Sequence, residues 1–372
     1  MISQRPTVAI AHDYLTQRGG AERVVLAMAA AFPDAPIYTT LYEPRDTFPE
    51  FAELPVKTSW LNRVRLFRRH HRLALPVLAL AASTTKIDAD IVLVSSSGWA
   101  HGFRTSGRKV VYCYSPARWL YQSRRYLGDK PSALESVALW TLRPFLIWWD
   151  RRAARSADAY VAISSIAQDR ILVEYDRASV VIPAPRPNTE QRPPVPMPEV
   201  AQWLDGAPFE LCISRLLPYK NVSTIIEAYA AEPRRRLVIV GKGPQADELR
   251  KMATDNVRVL ESITDGEISW LYRQSNALVA ISYEDFGLTP LEAASFGKPS
   301  LVLRWGGYIE TMVDGVTAVF IDEPTVECVR EGLNRLDAQS WDASRLTEHA
   351  DRYGEEVFVE AIRDLVKQQT SR

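Results

Sequence analysis

Apolar residues along the chain fall into short unbroken runs, separated by longer stretches where they recur at helical spacing. Runs of this kind, bounded by turn residues, predict strands buried on both faces, as parallel sheets require. In the first half they are Thr7–Ala11, Ile91–Ser95, Lys109–Tyr114, Ala159–Ile163 and Ser179–Ile182. The pattern restarts at Glu210–Ile213, Leu237–Val240, Val257–Leu260, Ala277–Ile281, Ser300–Leu303 and Ala318–Ile321. Between the two sets lies 183–198, with seven prolines in sixteen residues. Proline fixes φ and lacks a donor, so this stretch predicts an extended linker. The expected architecture is α/β, two doubly wound domains facing across a cleft, with 1–183 and 199–352 as the domains and 184–198 as the hinge. Ligands in such sheets bind beyond the carboxyl ends of the strands.

Composition narrows the picture. The 372 residues carry 45 Lys+Arg against 45 Asp+Glu, a balance that argues against nucleic acid as the main partner. The zero conceals an asymmetry: residues 1–183 hold 24 cations and 16 acids, residues 184–372 hold 21 and 29. Cys113, Cys212 and Cys328 lie far apart, which excludes a CxxC motif and makes a disulfide framework implausible. The first residues lack the apolar core of a signal peptide. The longest apolar run, Leu73–Ala82, is ten residues and too short to span a bilayer.

Candidate chemistry clusters after the predicted strands. His12-Asp-Tyr-Leu-Thr-Gln-Arg-Gly19-Gly20-Ala-Glu-Arg follows the first one and opens a helix. Its glycines allow close backbone approach, and a helix N-terminus offers free N–H groups to a phosphate. Arg215 and Lys220 follow the first strand of the second half, and a guanidinium fork with an ammonium point charge suits a diphosphate. In Glu284-Asp-Phe-Gly-Leu-Thr-Pro-Leu-Glu292, Pro290 fits a first helical turn, which leaves Glu284 in the loop and Glu292 inside the helix. Gly306-Gly307-Tyr-Ile-Glu310 repeats the scheme of glycines and an acid at a strand end. Two patterns are decoys. Asp88-Ala-Asp90 is a DxD triplet without the context of a metal chelate, and no metal is expected. Gly241-Lys242-Gly243, with Glu261 further on, imitates a dinucleotide fingerprint but follows the second strand of its half. It keeps an NAD(P)-dependent oxidoreductase open as a rival, beside a non-catalytic nucleotide-sugar binding protein.

Arg215…Lys220, the EX7E motif Glu284…Glu292, the Gly306-Gly307…Glu310 loop and the Gly19-Gly20 loop together resemble retaining glycosyltransferases of family GT4, with the GT-B fold, across essentially the whole chain. His12-Asp-Tyr-Leu…Gly-Gly-Ala-Glu-Arg and Tyr112-Cys-Tyr-Ser-Pro-Ala-Arg-Trp-Leu-Tyr121 are similar to the WbaZ-like mannosyltransferase branch, which often has His where Tyr114 stands. The resemblance implies that Arg215 and Lys220 hold the donor diphosphate, that Glu292 binds the ribose, and that Glu284 lies near the donor sugar. It implies that Phe286, Gly287 and Leu288 contact that sugar and the phosphate, and that Gly241, Lys242 and Ile263 line the base. His101 corresponds loosely to a histidine near the donor sugar, and Gly19 and Gly20 to the donor-facing loop. The implied donor is GDP-mannose, with a UDP-sugar second. No cofactor or metal is implied, and the acceptor is a lipid-linked or glycolipid hydroxyl. Residues 353–372 are expected to form a helix returning toward the N-terminal domain.

From Leu54 to Ile87 there is no acidic residue, and Lys57, Arg63, Arg65, Arg68, Arg69, Arg72 and Lys86 are interleaved with Trp60, Leu61, Leu66 and Phe67. Such a segment suits anionic headgroups, so residues 57–72 are expected to hold a cytoplasmic protein peripherally on the inner membrane. Val137–Trp149 is apolar and carries three tryptophans; Arg143 and Pro144 interrupt it, which favours a buried helix over a membrane segment.

Overall fold

A computed structural model of the chain describes residues 6–122 and 133–370; for 71, 72, 76 and 133–141 the description is of backbone alone. The chain forms two compact units. One runs to Pro185 and resumes at Glu355, and the other spans Arg186–Gly354.

In the first unit the strands are β1 (Val8–His12), β2 (Ile37–Thr39), β3 (Val56–Thr58), β4 (Lys86–Ile87), β5 (Ile91–Ser96), β6 (Arg104–Thr105), β7 (Arg108–Cys113), β8 (Ala159–Ala162) and β9 (Ser179–Val181). Seven of them form one parallel sheet in the order β3-β2-β1-β5-β7-β8-β9, and β4 pairs with β6 beside it. The apolar runs of β1, β5 and β7 occupy its centre, and Ala9, Ile10, Val92, Val94 and Val111 are fully buried. Helices cover both faces of a parallel sheet, so its central strands meet no water on either side. The register sets His12 of β1 between Thr39 of β2 and Ser95 of β5. A second core, between Leu75–Thr84 and Ala133–Arg155, gathers Leu61, Leu78, Trp99, Leu146 and Trp149.

The second unit holds β10 (Phe209–Ile213), β11 (Arg236–Val240), β12 (Val257–Leu260), β13 (Ala277–Ala280), β14 (Ser300–Leu303) and β15 (Ala318–Ile321). They form one parallel sheet in the order β12-β11-β10-β13-β14-β15. Strand order reverses between β10 and β13, which makes their carboxyl ends the switch point where doubly wound sheets take ligands.

Three details add to the sequence reading. The proline-rich stretch is attached to the second unit from Arg186 onward. Arg186 is buried, and its guanidinium donates to the Ala350 carbonyl, Glu190 and Asp351. The Val195 amide donates to Gly266 O, and Ser269 Oγ donates to Arg192 O. Prolines remove amides but leave the stretch its carbonyls, of which Pro187 O accepts from Arg186, Glu190 O from Arg273 and Arg192 O from Ser269. Second, Pro144 does not end its helix, which runs Ala133–Arg155. Of Val137–Trp149, the side chains up to Thr141 lie outside the described residues; beyond them Leu146 and Trp149 are buried, while Phe145 and Trp148 are exposed. Third, the helix Glu355–Thr370 belongs to the first unit, where it packs on the helix Gly20–Ala31 and buries Phe358, Ile362, Leu365 and Val366.

Candidate functional site

The second unit gathers chemistry at its switch point. After β10 the chain turns through Arg215 into a short helical turn, Pro218–Lys220, and Asn221 takes a left-handed conformation before the helix Val222–Ala230. Arg215 is exposed and donates to Tyr219 Oη over 3.0 Å. The Lys220 ammonium is mostly covered, pairs with Glu284, and sits 5.1 Å from the Tyr219 ring centroid. Residues following adjacent strands thus meet, a cation after β10 and an acid after β13.

The loop from β13 leads into the helix Leu288–Ser295, with Gly287 as its N-cap at φ 94° and Pro290 in the first turn. That φ is in the left-handed region, and a Cβ there would also run into the Tyr308 ring. Phe286 is buried and Leu288 half-buried. Glu284 stays in the loop, where its carbonyl accepts from the Gly307 amide over 2.9 Å. Glu292 is inside the helix and 8% exposed. Its carboxylate accepts from Tyr272 Oη over 3.0 Å and from Thr189 Oγ1. Thr189 belongs to the proline-rich stretch, which therefore supplies a partner to an EX7E glutamate.

After β11, Gly241 packs against Ser214, where a Cβ would strike the carbonyl oxygen, and Leu216 N donates to Lys242 O over 2.9 Å. Backbone packing alone therefore requires the glycine that suggested a dinucleotide fingerprint. Lys242 is exposed and Ile263 half-buried. Among the described residues no cluster of His, Cys, Asp or Glu could hold a metal ion. Asp88 and Asp90 instead secure backbone and side chains: Asp88 accepts from Ser106 Oγ, and Asp90 from Thr7 N and Thr7 Oγ1. The Thr7 bonds hold the Asp90 carboxyl below its usual range.

In the first unit, Gly19 caps the helix Gly20–Ala31 at the carboxyl end of β1. His101 lies in the turn Ala100–Gly102 and is 2% exposed. Its Nε2 lies 3.0 Å from Asp150 and its Nδ1 3.1 Å from Ser96 Oγ, with the ring tilted against Trp149 and Tyr175. The structure thus encloses this histidine among its own unit's side chains. Sequence reasoning passed over Asp13, although it adjoins the glycine loop. Its buried carboxylate accepts from the amides of Ser97, Trp99 and Ala100 and from Ser97 Oγ, bracing the turn after β5. It passed over the partners of His12 and Glu22 as well, although both stand in the quoted motif.

Each unit is a parallel α/β sheet with its glycine loops and ionisable residues at the carboxyl ends of its strands, the architecture of GT-B proteins. Residues 18–187 match the family model "Glycosyltransferase Family 4", and residues 198–369 match "Glycosyl transferases group 1". The two matches together support a family 4 glycosyltransferase. It is 26% identical over 221 residues to the GDP-mannose-dependent alpha-(1-6)-phosphatidylinositol monomannoside mannosyltransferase of Mycolicibacterium smegmatis, covering 53% of this chain and 57% of that protein. It is 32% identical over 126 residues to the D-inositol 3-phosphate glycosyltransferase of Corynebacterium glutamicum, covering 30% of each. The match thus spans little more than half the length of the first of these relatives. Among solved structures, sucrose-phosphate synthase from Thermosynechococcus elongatus superposes with a TM-score of 0.71 at 16% identity, covering 98% of this chain and 99% of that one. Anabaena HepE in complex with UDP and glucose gives 0.69 at 19%, covering 98% and 100%.

Proposed function

We propose that the chain is a retaining glycosyltransferase that moves a hexosyl group, with mannose from GDP-mannose as first choice, to a hydroxyl of a lipid-linked or glycolipid acceptor in bacterial surface polysaccharide or glycolipid synthesis. The observation that carries this reading is the convergence of Arg215, Lys220, Glu284 and the Phe286–Leu288 loop at the β10/β13 switch point. In the reaction, the bond from the anomeric carbon to the diphosphate breaks while the acceptor oxygen bonds on the same face. The acceptor proton passes to the departing diphosphate, so no protein nucleophile is required. Arg215 and Lys220 neutralise the charge that develops on the diphosphate, as preorganised cations do best in a covered site. Lys220 then exchanges its Glu284 partner for phosphate oxygens, and the released carboxylate is available to sugar hydroxyls. Glu292 serves the ribose, while Gly241, Lys242 and Ile263 line the base. On the first unit Gly19 and Gly20 present amides to an anionic group, and His101 is the remaining candidate there.

The M. smegmatis relative, named as GDP-mannose-dependent, supports the mannosyl choice, and HepE, solved with UDP and glucose, keeps a UDP-sugar as the alternative. A panel of nucleotide sugars scored by nucleotide release tests the reading. Turnover of GDP-mannose supports it, and release of UDP alone shifts the donor. Calorimetric binding of NAD(P)H in preference to GDP and UDP would replace it with a dehydrogenase. Arg215→Ala and Lys220→Ala are each expected to lower kcat at least about 100-fold, with the unfolding midpoint within a few degrees of wild type. Normal turnover in both variants would remove the assignment.

The same reading places the protein in the cytoplasm, held peripherally on an anionic membrane through residues 57–72. Trp60 and Leu66 are exposed beside Lys57, Arg63, Arg65 and Arg69, whereas Leu61 is buried and anchors the segment. The Arg72 side chain lies outside the described residues. Among the described residues no helix is long and apolar enough to cross a membrane.

A further inference from the structure

We infer that His12 and Glu22 share one proton and together act as a buried positioning device for the Gly19–Gly20 loop. A closed ring of polar contacts surrounds the first turn of the helix Gly20–Ala31. Tyr114 Oη lies 3.1 Å from the Ala21 carbonyl, which can only accept, so Tyr114 donates there. Tyr114 Oη also lies 2.8 Å from Ser95 Oγ; its hydrogen is committed, so Ser95 donates to it. Ser95 Oγ and Ser95 O lie 2.9 and 3.2 Å from His12 Nδ1. With the Ser95 hydrogen spent, both oxygens can only accept, so Nδ1 must carry a hydrogen. The order of donors thus fixes the tautomer of His12 from the outside inward.

The other ring nitrogen, Nε2, faces Glu22 Oε1 at 3.8 Å. Were both groups without a further proton, a lone pair would confront a carboxylate in a place where neither residue is more than 2% exposed. A proton on Nε2 removes the conflict, setting an imidazolium beside the carboxylate. Burial opposes charging of His12, but the Glu22 side chain, with smaller help from Asp13 and the Ser95 carbonyl, outweighs it and holds the pKa above the ordinary 6.5. The titratable groups facing His12 are Glu22 from the helix, Asp13 from its own loop, and Tyr114, whose phenol burial keeps neutral. Thr39 and Ser95 of the flanking strands do not titrate.

Glu22 passes this restraint to the loop. Its Oε1 accepts from Gln17 Nε2 over 3.0 Å, and its Oε2 lies 2.7 Å from where a Cβ on Gly19 would stand. That Oε2 is buried and has no hydrogen-bond partner. The carboxylate therefore fills the space beneath Gly19 and ties Gln17 to β1, while Tyr114 closes the ring back onto Ala21. Neither His12 nor Glu22 reaches the surface, so both act through the loop. The functional half of the inference rests on the proposal that the loop's amides meet an anionic group of the donor.

The sign of the pH dependence follows. A raised histidine pKa gives a restraint complete below about 6.5 that is lost as pH rises through the raised value. The test begins with nitrogen NMR on protein labelled at histidine, with His12 assigned from His12→Gln. Nδ1–H is expected to persist through the titration while Nε2 titrates with a midpoint above 6.5, which falls to 6.5 or below in Glu22→Gln. In parallel, amide exchange across residues 17–23 is expected to quicken about tenfold in His12→Gln and in Glu22→Gln, and little further in the double variant, as for a coupled pair. The wild-type KM for GDP-mannose should rise with pH across the midpoint and kcat much less, a split that vanishes in Glu22→Gln. An Nε2–H tautomer, a His12 midpoint indifferent to Glu22→Gln, or unaltered loop exchange in both variants would each overturn the inference. If wild type turns over neither GDP-mannose nor UDP-sugars, the donor reading fails, and the NMR and exchange results decide the dyad independently.

Discussion

Glu210 shows how burial at a single residue writes a pH dependence into stability. It occupies β10, 4% exposed, accepts from Tyr229 Oη over 3.0 Å, and lies 3.6 Å from Arg235. Burial dominates these partners and raises its pKa from 4.5 to about 6. A raised carboxyl pKa means the folded state holds its proton longer, so stability falls as pH rises from about 4.5 to about 6. At 1.36 kcal/mol per unit the loss is about 2 kcal/mol. Urea denaturation at pH 4.5 and pH 7 is expected to show a smaller fall in Glu210→Gln than in wild type, since an amide still accepts from Tyr229. Legibility at this scale was uneven. Arg215, Lys220, Glu284 and Glu292 stood out because charged residues after apolar runs are visible in a sequence. The partners of Asp13 were not visible: they lie more than eighty residues away, and only the pairing of β1 with β5 brings them together.

Among elements, the six runs read in the second half each became a strand of one sheet, because a strand buried on both faces needs unbroken apolar sequence. β2 and β3 escaped, being three residues each and too short to display a period, and β4 and β6 have two. The helix Leu288–Ser295 was legible through Pro290 and the glycine before it. Gly287→Ala is expected to destabilise the protein by about 3 kcal/mol, from a Cβ forced into the left-handed region and against Tyr308. Thermal unfolding checks this, and a change under about 0.5 kcal/mol would mean the loop has another conformation to adopt. The proline-rich stretch is legible as an extended linker, because composition reveals stiffness but not attachment. Its attachments depend on Arg186 and on Ser269, which composition does not mark.

For the whole molecule, neutrality is the sum of a cationic first half and an anionic second half. Surface charges act within about a Debye length, so an anionic bilayer would meet the local field of residues 57–72 rather than the net charge. Wild type is expected to pellet with vesicles of phosphatidylcholine and 30% phosphatidylglycerol at low salt. Replacing Arg63, Arg65 and Arg69 together by Glu should abolish pelleting; at about 1 kcal/mol per basic residue, removal of three already costs over a hundredfold. Absence of wild-type pelleting would remove the membrane assignment. The two-domain plan itself was legible from the restart of apolar runs after the prolines. The return of the last helix to the first unit rested on resemblance, since its sequence does not state which surface it covers.

That return has a consequence for how the protein is made. The ribosome delivers the first unit's sheet early but adds the helix Glu355–Thr370, which packs on the helix Gly20–Ala31, only after the whole of Arg186–Gly354. The stretch Arg186–Gly354 of the second unit can therefore fold while the first still waits for the helix Glu355–Thr370. For that interval the nascent chain exposes the apolar side of Gly20–Ala31, the surface a chaperone would find first.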